Sequence, residues 1–122
     1  MLIDCLAVGA GGAFGAVFRY LCGLVPIKAE SGFPVITFAI NIIGAFLIGF
    51  IVAVSGKRTG FDPRLLLFIK VGICGGFTTF STFSLESLGL LQNGKYGCAV
   101  AYIVSSVVLC VFATMAAQII AR

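Results

Sequence analysis

The sequence predicts an all-α membrane protein of four transmembrane helices, on the basis of its composition and of four long apolar stretches. Of the 122 residues, 61% are hydrophobic and 10% are charged, and the mean hydropathy of +1.20 lies far above that of soluble domains. A helix needs about 20 apolar residues to cross the hydrocarbon of a bilayer. Stretches of that length, separated by polar or glycine-proline residues, predict spans at about residues 2–25, 34–54, 63–91 and 96–121. A single transmembrane domain therefore fills residues 1–122.

The first predicted span carries small residues at the spacing that lets a second helix approach closely. Gly11-xxx-Gly15 and Gly12-xxx-Ala16 each place two small residues on one helical face. Asp4, the lack of a basic leader and the presence of later spans argue against a cleaved signal peptide. We expect this span to remain in the protein and to pack tightly.

Two polar side chains stand inside the first two predicted spans. Arg19 lies toward the far end of the first span, where it either extends to the lipid headgroups or gives positive potential to an entering anion. Asn41 lies in the middle of the second span between Ile40 and Ile42, where an unpaired amide is costly. Its amide either only joins two helices or belongs to a functional site.

The third predicted span begins at Pro63, a residue that suits the first turn of a helix. Gly75 and Gly76 stand near its middle, so we expect two half-helices with a break near this pair. Hydroxyl and aromatic residues then form two mixed helical stripes: Thr79, Thr82 and Phe83 on one face, and Phe77, Phe80 and Ser84 on another. In hydrocarbon, irregular backbone and hydroxyl clusters persist only when they are buried in protein or line a cavity. This segment is therefore the predicted functional site.

The residue types of this segment suit a small, strongly hydrated anion. The edge of a phenyl ring is partly positive, and hydroxyl and amide donors can replace part of an anion's hydration shell. A cation pathway would be expected to contain carboxylates or rings of carbonyls. The one nearby carboxylate, Glu86, either lies at a vestibule mouth or pairs with a base. Carbonyls freed at the break could hold a single structural cation.

The fourth predicted span carries a polar stripe. Tyr102, Ser106 and Cys110 recur at every fourth position and share one helical face. Hydroxyls in such helices commonly bond back to a backbone carbonyl, so the stripe alone does not establish a site. The chain has five cysteines and no histidine, and without metal-ligand spacing we interpret all the cysteines as buried small hydrophobic residues.

The loop charges are nearly balanced between the two sides of the membrane. On the side of the membrane that holds both chain ends lie four basic residues: Lys57, Arg58, Arg64 and Arg122. On the opposite side lie two, Lys28 and Lys95. Arg19 and Lys70 lie inside the spans. This weak bias is compatible with insertion in both orientations. Because four short spans can hardly enclose an aqueous pore, we also expect an oligomer, by default a symmetric dimer.

Three segments carry a resemblance to a known family: Gly11–Tyr20 in the first span, Asn41 with Gly44 in the second, and Gly72–Glu86 in the third. On these segments the chain resembles the Fluc/CrcB fluoride channels over its full length. The resemblance implies a dual-topology antiparallel homodimer with two fluoride pathways, each built from both subunits. It also implies passive export of fluoride across the inner (plasma) membrane of a microbial cell.

The resemblance implies roles for individual residues. Phe80 and Phe83 would turn ring edges toward fluoride, with Asn41 as the pore asparagine. The full candidate pathway, from pattern and resemblance together, is Arg19, Asn41, Phe80, Ser81, Thr82, Phe83, Glu86, Tyr102 and Ser106. A structural Na⁺ at the dimer axis would be bound by the backbone carbonyls of Gly75 and Thr78. Thr79 and Thr82 are left open between the pathway and the axis.

Other functions fit the residues less well. A small antiporter of the multidrug-resistance type would need a membrane-embedded carboxylate, but Asp4 lies near the chain start and Glu86 late in the third span. A non-transporting scaffold would leave the hydroxyl-rich break unexplained. An enzyme lacks a nucleophile-base pair, a pump lacks a nucleotide-binding motif, and nothing indicates nucleic-acid binding.

Overall fold

A computed structural model, which describes all residues from Met1 to Arg122, contains the four predicted spans and no β-strand. Span 1 is Leu2–Gly23, span 2 is Val35–Lys57, span 3 is Pro63–Gln92 and span 4 is Tyr96–Ile120. Only 16 of the 122 residues are buried, and most large apolar side chains face outward. This distribution is expected where lipid is the solvent. The chain is an all-helical membrane protein with four spans.

Span 3 is built from several helical pieces. Its first half comprises an α-helical turn at Pro63–Leu66, a π-helix at Leu67–Cys74 and a short α-helical segment at Gly75–Phe77. Its second half is the α-helix Ser81–Gln92. The start matches the sequence prediction, since Pro63 occupies the first turn and Oδ1 of Asp62 accepts from the backbone N–H of Arg64 at 2.8 Å.

The break in span 3 lies at residues 78–80, just after the predicted glycine pair. Gly75 keeps helical dihedral angles (φ −64°, ψ −38°), whereas Thr78 is extended (φ −78°, ψ 158°). Gly76 instead serves packing, because a Cβ there would lie 2.5 Å from the carbonyl oxygen of Gly12 in span 1. The predicted break near this glycine pair is confirmed, but the two glycines themselves belong to the helical segment that precedes it.

Spans 1 and 3 approach each other through glycines on both sides, as the small-residue spacing in span 1 predicts. A Cβ on Gly11 would lie 2.9 Å from Cα of Gly72 and would overlap the carbonyl oxygen of Phe68 in the π-helix. A Cβ on Gly15 would overlap the carbonyl oxygen of Ile73. Only residues without a side chain allow these two backbones to pack so closely.

Span 4 packs against span 2 and against the second half of span 3. A Cβ on Gly49 would lie 2.5 Å from the carbonyl oxygen of Thr114, so this contact also requires a glycine. Farther along, a small buried core consists of Phe83, Leu90, Ala99 and Tyr102. These contacts bring the polar stripe of span 4 opposite the break in span 3.

Candidate ion pathway

A groove of about 450 Å³ opens between spans 2, 3 and 4 at the level of the break. Four of the eight predicted pathway residues that belong to these spans line it: Asn41, Phe80, Phe83 and Ser106. Its lining is Asn41, Gly44, Ala45, Ile48, Cys74, Gly75, Thr78, Thr79, Phe80, Phe83, Ser106, Val107, Cys110, Val111 and Thr114. No side chain in this lining carries a charge at neutral pH, so the groove offers hydroxyls, thiols, one amide and ring edges to a ligand.

Asn41 holds the broken segment of span 3 in place. Its Nδ2 donates to the carbonyl oxygen of Thr79 at 3.0 Å, and its Oδ1 accepts from the backbone N–H of Thr79 at 2.8 Å. One amide side chain therefore satisfies both backbone groups of a residue outside the helices. The second N–H of the Asn41 amide is not used in this pair, and Asn41 lines the groove.

The same bonds leave two backbone carbonyls without their helical donors. In a continuous α-helix the N–H of Thr79 would donate to Gly75, but here it donates to Oδ1 of Asn41. The N–H of Thr82 would donate to Thr78, but it donates to Oγ1 of Thr79 at 3.1 Å. The carbonyls of Gly75 and Thr78, the two implied sodium ligands, thus both lose their i+4 partners. Oxygen atoms of this kind suit a hard cation.

Ser106 presents a buried hydroxyl with no protein partner. The residue is 6% exposed, lines the groove, and its Oγ is the one buried side-chain oxygen or nitrogen atom that lacks a hydrogen bond. A hydroxyl that is buried without a partner costs roughly 1–3 kcal/mol. The hydroxyl of Ser106 is therefore available to a ligand in the groove.

Tyr102 lies one helical turn from Ser106 and is fully buried. Its hydroxyl donates to Oε1 of Glu86 at 3.4 Å. Glu86 does not line the groove but a second cavity, also of about 450 Å³, together with Thr37, Lys28 and Lys95. The pair formed by Tyr102 and Glu86 thus lies between the groove and a polar cavity nearer one membrane face.

Phe80 and Phe83 differ sharply in exposure although both line the groove. Phe83 is 8% exposed and packs against Tyr102 with ring centroids 5.1 Å apart. Phe80 is 77% exposed, and its ring centroid lies 5.5 Å from that of Phe83. A ring so exposed beside the groove is a surface available to another molecule.

Five residues of the predicted pathway lie outside the groove lining: Tyr102 and Glu86, described above, and Arg19, Ser81 and Thr82. Arg19 is not directed to the headgroups, because its Nε donates to the carbonyl oxygen of Gly76 at 3.1 Å. This places a cation against the end of the first half of span 3, where helix carbonyls carry partial negative charge. Ser81 is exposed, and its hydroxyl lies 3.5 Å from that of Thr79. The backbone N–H of Thr82 donates to Oγ1 of Thr79.

Thr114 is a groove residue that the sequence analysis did not single out. It continues the stripe of Tyr102, Ser106 and Cys110 by one more turn, so the same periodicity would have found it. Its hydroxyl is bonded to the carbonyl oxygens of Ala45 and Cys110, each at 3.0 Å. Thr114 is therefore a structural member of the stripe.

The prediction that all cysteines are buried is confirmed only for Cys74 and is clearly wrong for Cys5, which is exposed near the chain start. Cys74 is buried, and Cys22, Cys98 and Cys110 are partly exposed. In a protein surrounded by lipid, an exposed position needs no polar residue, so the apolar context of Cys5 did not predict burial.

Comparison with known proteins gives a consistent result over nearly the whole chain. Residues 6–118 match the family model described as CrcB-like protein, Camphor Resistance (CrcB). A protein of Agrobacterium fabrum named fluoride-specific ion channel FluC is 40% identical over 122 residues, which cover 99% of this chain and 98% of the relative. A protein of the same name from Rhizobium meliloti is 43% identical over 96% of this chain and 94% of the relative. Another, from Chlorobaculum tepidum, is 46% identical over 83% of this chain and 80% of the relative.

Proposed function

The chain belongs to the CrcB family, and from this membership we propose that it is a fluoride-selective channel through which fluoride leaves the cytoplasm passively. Relatives that cover almost the whole chain are named as fluoride-specific ion channels. With four spans, this chain is a multi-pass protein of the plasma membrane, and it is a channel rather than an enzyme.

The observation that carries the proposal is the buried, unpartnered hydroxyl of Ser106 in an uncharged groove. Fluoride is small and holds its water strongly, so a pathway must offer donors in place of that water. The Ser106 hydroxyl and the free N–H of Asn41 are such donors. The edge of the Phe83 ring can add a weak positive contact.

The uncharged lining also favours a channel over the antiporter alternative. An antiporter for cationic drugs would need a carboxylate in its site, but the groove lining contains none. The nearest candidate, Glu86, lines the other cavity and accepts from Tyr102. An anion could therefore occupy the groove without facing a fixed negative charge.

We further propose that the channel is an antiparallel homodimer with two pathways. The groove is open on one side, and Phe80 stands 77% exposed beside it. An anion in a groove facing hydrocarbon would be prohibitively costly, so a second copy must supply the missing wall. The nearly balanced loop charges support insertion of the two copies in opposite orientations.

A structural Na⁺ is part of the same proposal, and the residues fit it. The carbonyls of Gly75 and Thr78 lack their helical donors, because Asn41 and Thr79 capture the N–H groups concerned. A two-fold axis through this break would bring together both carbonyls from each copy. When bound there, Na⁺ would supply positive charge that holds the two breaks together. Li⁺, Na⁺ and K⁺ should then differ in how far they raise the melting temperature of the purified dimer, with Na⁺ best.

Passive export follows from the chemistry of hydrogen fluoride. The neutral acid crosses membranes and ionises inside the cell, where the membrane potential favours outward movement of the anion. A selective leak therefore lowers the internal concentration without coupling to another reaction.

The test is fluoride efflux from liposomes that contain the purified protein and potassium fluoride. After valinomycin is added, rapid efflux of fluoride without efflux of chloride is expected on ion-selective electrodes. A folded dimer that releases no more fluoride than protein-free liposomes would refute the channel. Efflux of fluoride and chloride at similar rates would refute the selectivity alone.

A further inference from the structure

The groove contains a thiol that is not among the pathway residues predicted from the sequence. Cys110 lines the groove one helical turn beyond Ser106 and is partly exposed. Cys74 also lines the groove but is only 3% exposed. Cys5, Cys22 and Cys98 lie outside the lining, and all the thiols are free.

A second observation indicates that a small polar molecule can reach this thiol. The Ser106 hydroxyl, on the same helical face as Cys110, is buried and has no protein partner. The groove of about 450 Å³ around these two side chains is large enough for a molecule of a few heavy atoms. Such a molecule would find a hydrogen-bond donor beside the thiol.

We propose that Cys110 is a modification site for small thiol-reactive electrophiles, and that its modification closes the ion pathway. The claim that Cys110 is modified depends only on the position of the thiol in the groove. The claim that modification closes the pathway rests on the proposed function, since it requires that fluoride passes this position.

The chemistry can be followed with methyl methanethiosulfonate. The Cys110 thiolate attacks the sulfenyl sulfur of the reagent, a new S–S bond forms, and methanesulfinate leaves. The thiol proton passes to water. Because the thiolate is the nucleophile, the labelling rate should rise with pH. A thiol reductant such as dithiothreitol reverses the modification.

The modification removes the S–H donor and adds a methylthio group inside the groove. Losing a hydrogen bond to a partly dehydrated anion is expected to lower fluoride flux about ten- to a hundredfold. Serine at this position would keep a donor, and a stronger one than a thiol. Cys110→Ser should therefore conduct fluoride at least as well as the natural chain, and the reagent should not change its fluoride efflux.

The experiment compares three variants of the full chain in liposomes. One retains only Cys110, with serine at the other four cysteine positions; one retains only Cys5; and the third is Cys110→Ser. Intact mass reports labelling, and electrode traces report fluoride efflux. We expect one label on each single-cysteine variant, loss of efflux only in the variant that retains Cys110, and recovery after dithiothreitol.

Three outcomes would overturn the proposal. Absence of label on Cys110 under conditions that label Cys5 would refute Cys110 as a modification site. Labelling of Cys110 with unchanged efflux would show that the thiol lies off the pathway. Equal loss of efflux in Cys110→Ser would place the sensitive group elsewhere. If the unlabelled protein conducts no fluoride, the proposed function fails, but the mass measurement still decides whether Cys110 is modified.

Discussion

At the residue scale, one amide organises the centre of the molecule. Asn41 is bonded to both backbone groups of Thr79, and this pairing frees the carbonyl of Gly75. The sequence left open whether Asn41 joins helices or contacts an ion. In the structure it joins span 2 to the break in span 3, and its remaining N–H still lies at the groove. The two roles are compatible because the amide has two N–H groups.

Asn41→Asp should therefore impair both folding and conduction. The new carboxylate would face the carbonyl oxygen of Thr79, where Nδ2 now donates at 3.0 Å, and it would add negative charge to an anion pathway. We expect a loss of about 1–3 kcal/mol in stability and a large fall in fluoride efflux. Thermal unfolding in detergent and liposome efflux measure the two effects.

Asn93→Asp is the matched control for this change. Asn93 is exposed after the end of span 3, where its Nδ2 donates to the Gly89 carbonyl at 2.9 Å. The control should conduct normally. Normal conduction by Asn41→Asp as well would show that Asn41 only joins the helices.

Phe80→Ile and Phe83→Ile should have the same effect on flux but different effects on stability. Each loses a ring edge at the groove, so we expect efflux to fall about two- to tenfold. Phe83 is 8% exposed and Phe80 is 77% exposed, so only Phe83→Ile should destabilise the isolated fold, by about 1–2 kcal/mol. Phe112→Ile, at a 55% exposed residue outside the groove, is the control. Unaltered flux in both groove variants would reject the pore role of the rings.

At the scale of the helices, close packing against span 1 and the break involve different residues of span 3. Gly72 and Gly76 allow span 1 to pack closely, and the break lies at residues 78–80. Arg19 links the two by donating from span 1 to the carbonyl of Gly76. The position of the break relative to the groove therefore depends on the fit between spans 1 and 3.

Gly76→Ala should weaken that fit. The new methyl group would lie 2.5 Å from the carbonyl oxygen of Gly12, and overpacking of this kind typically costs about 1–3 kcal/mol. We expect a lower melting temperature in detergent. Gly9→Ala in span 1, where nothing lies within 4 Å of the added Cβ, should leave it unchanged or higher. Equal melting temperatures for the two variants would contradict close packing at Gly76.

At the scale of the whole molecule, the single chain has a groove that is open on one side. The groove lies open beside Phe80, and the chain places no further element over it. A second copy in the opposite orientation would close it and would bring the freed carbonyls of two breaks together. The proposed dimer thus follows from the same groove as the proposed conduction.

Dual topology can be tested in cells with a cysteine in the loop between spans 1 and 2. Ser31→Cys, in a chain whose natural cysteines are replaced by serine, changes neither the loop charge nor much volume. A membrane-impermeant maleimide should label about half of the copies from outside, since the loop charges set little orientation bias. Permeabilised cells should give complete labelling. Labelling of nearly all or almost none of the copies in intact cells would exclude mixed orientation.

The sequence by itself determined the four spans, the close packing of span 1 and the concentration of polar residues at the middle of span 3. These features follow from local composition and helical periodicity, which the bilayer constrains strongly. The same periodicity placed Tyr102, Ser106 and Cys110 on one face.

Only the tertiary structure decided where the break lies, which carbonyls lose their donors and which hydroxyl is left free. The sequence predicts a break near Gly75 and Gly76, but the exact position is Thr78, and the close approach of Gly12 explains Gly76. The break depends on Asn41, which is distant in sequence and captures the N–H of Thr79. Hydrogen bonds between distant segments leave no periodic signal in a sequence, so the arrangement of the groove emerges only when the spans pack together.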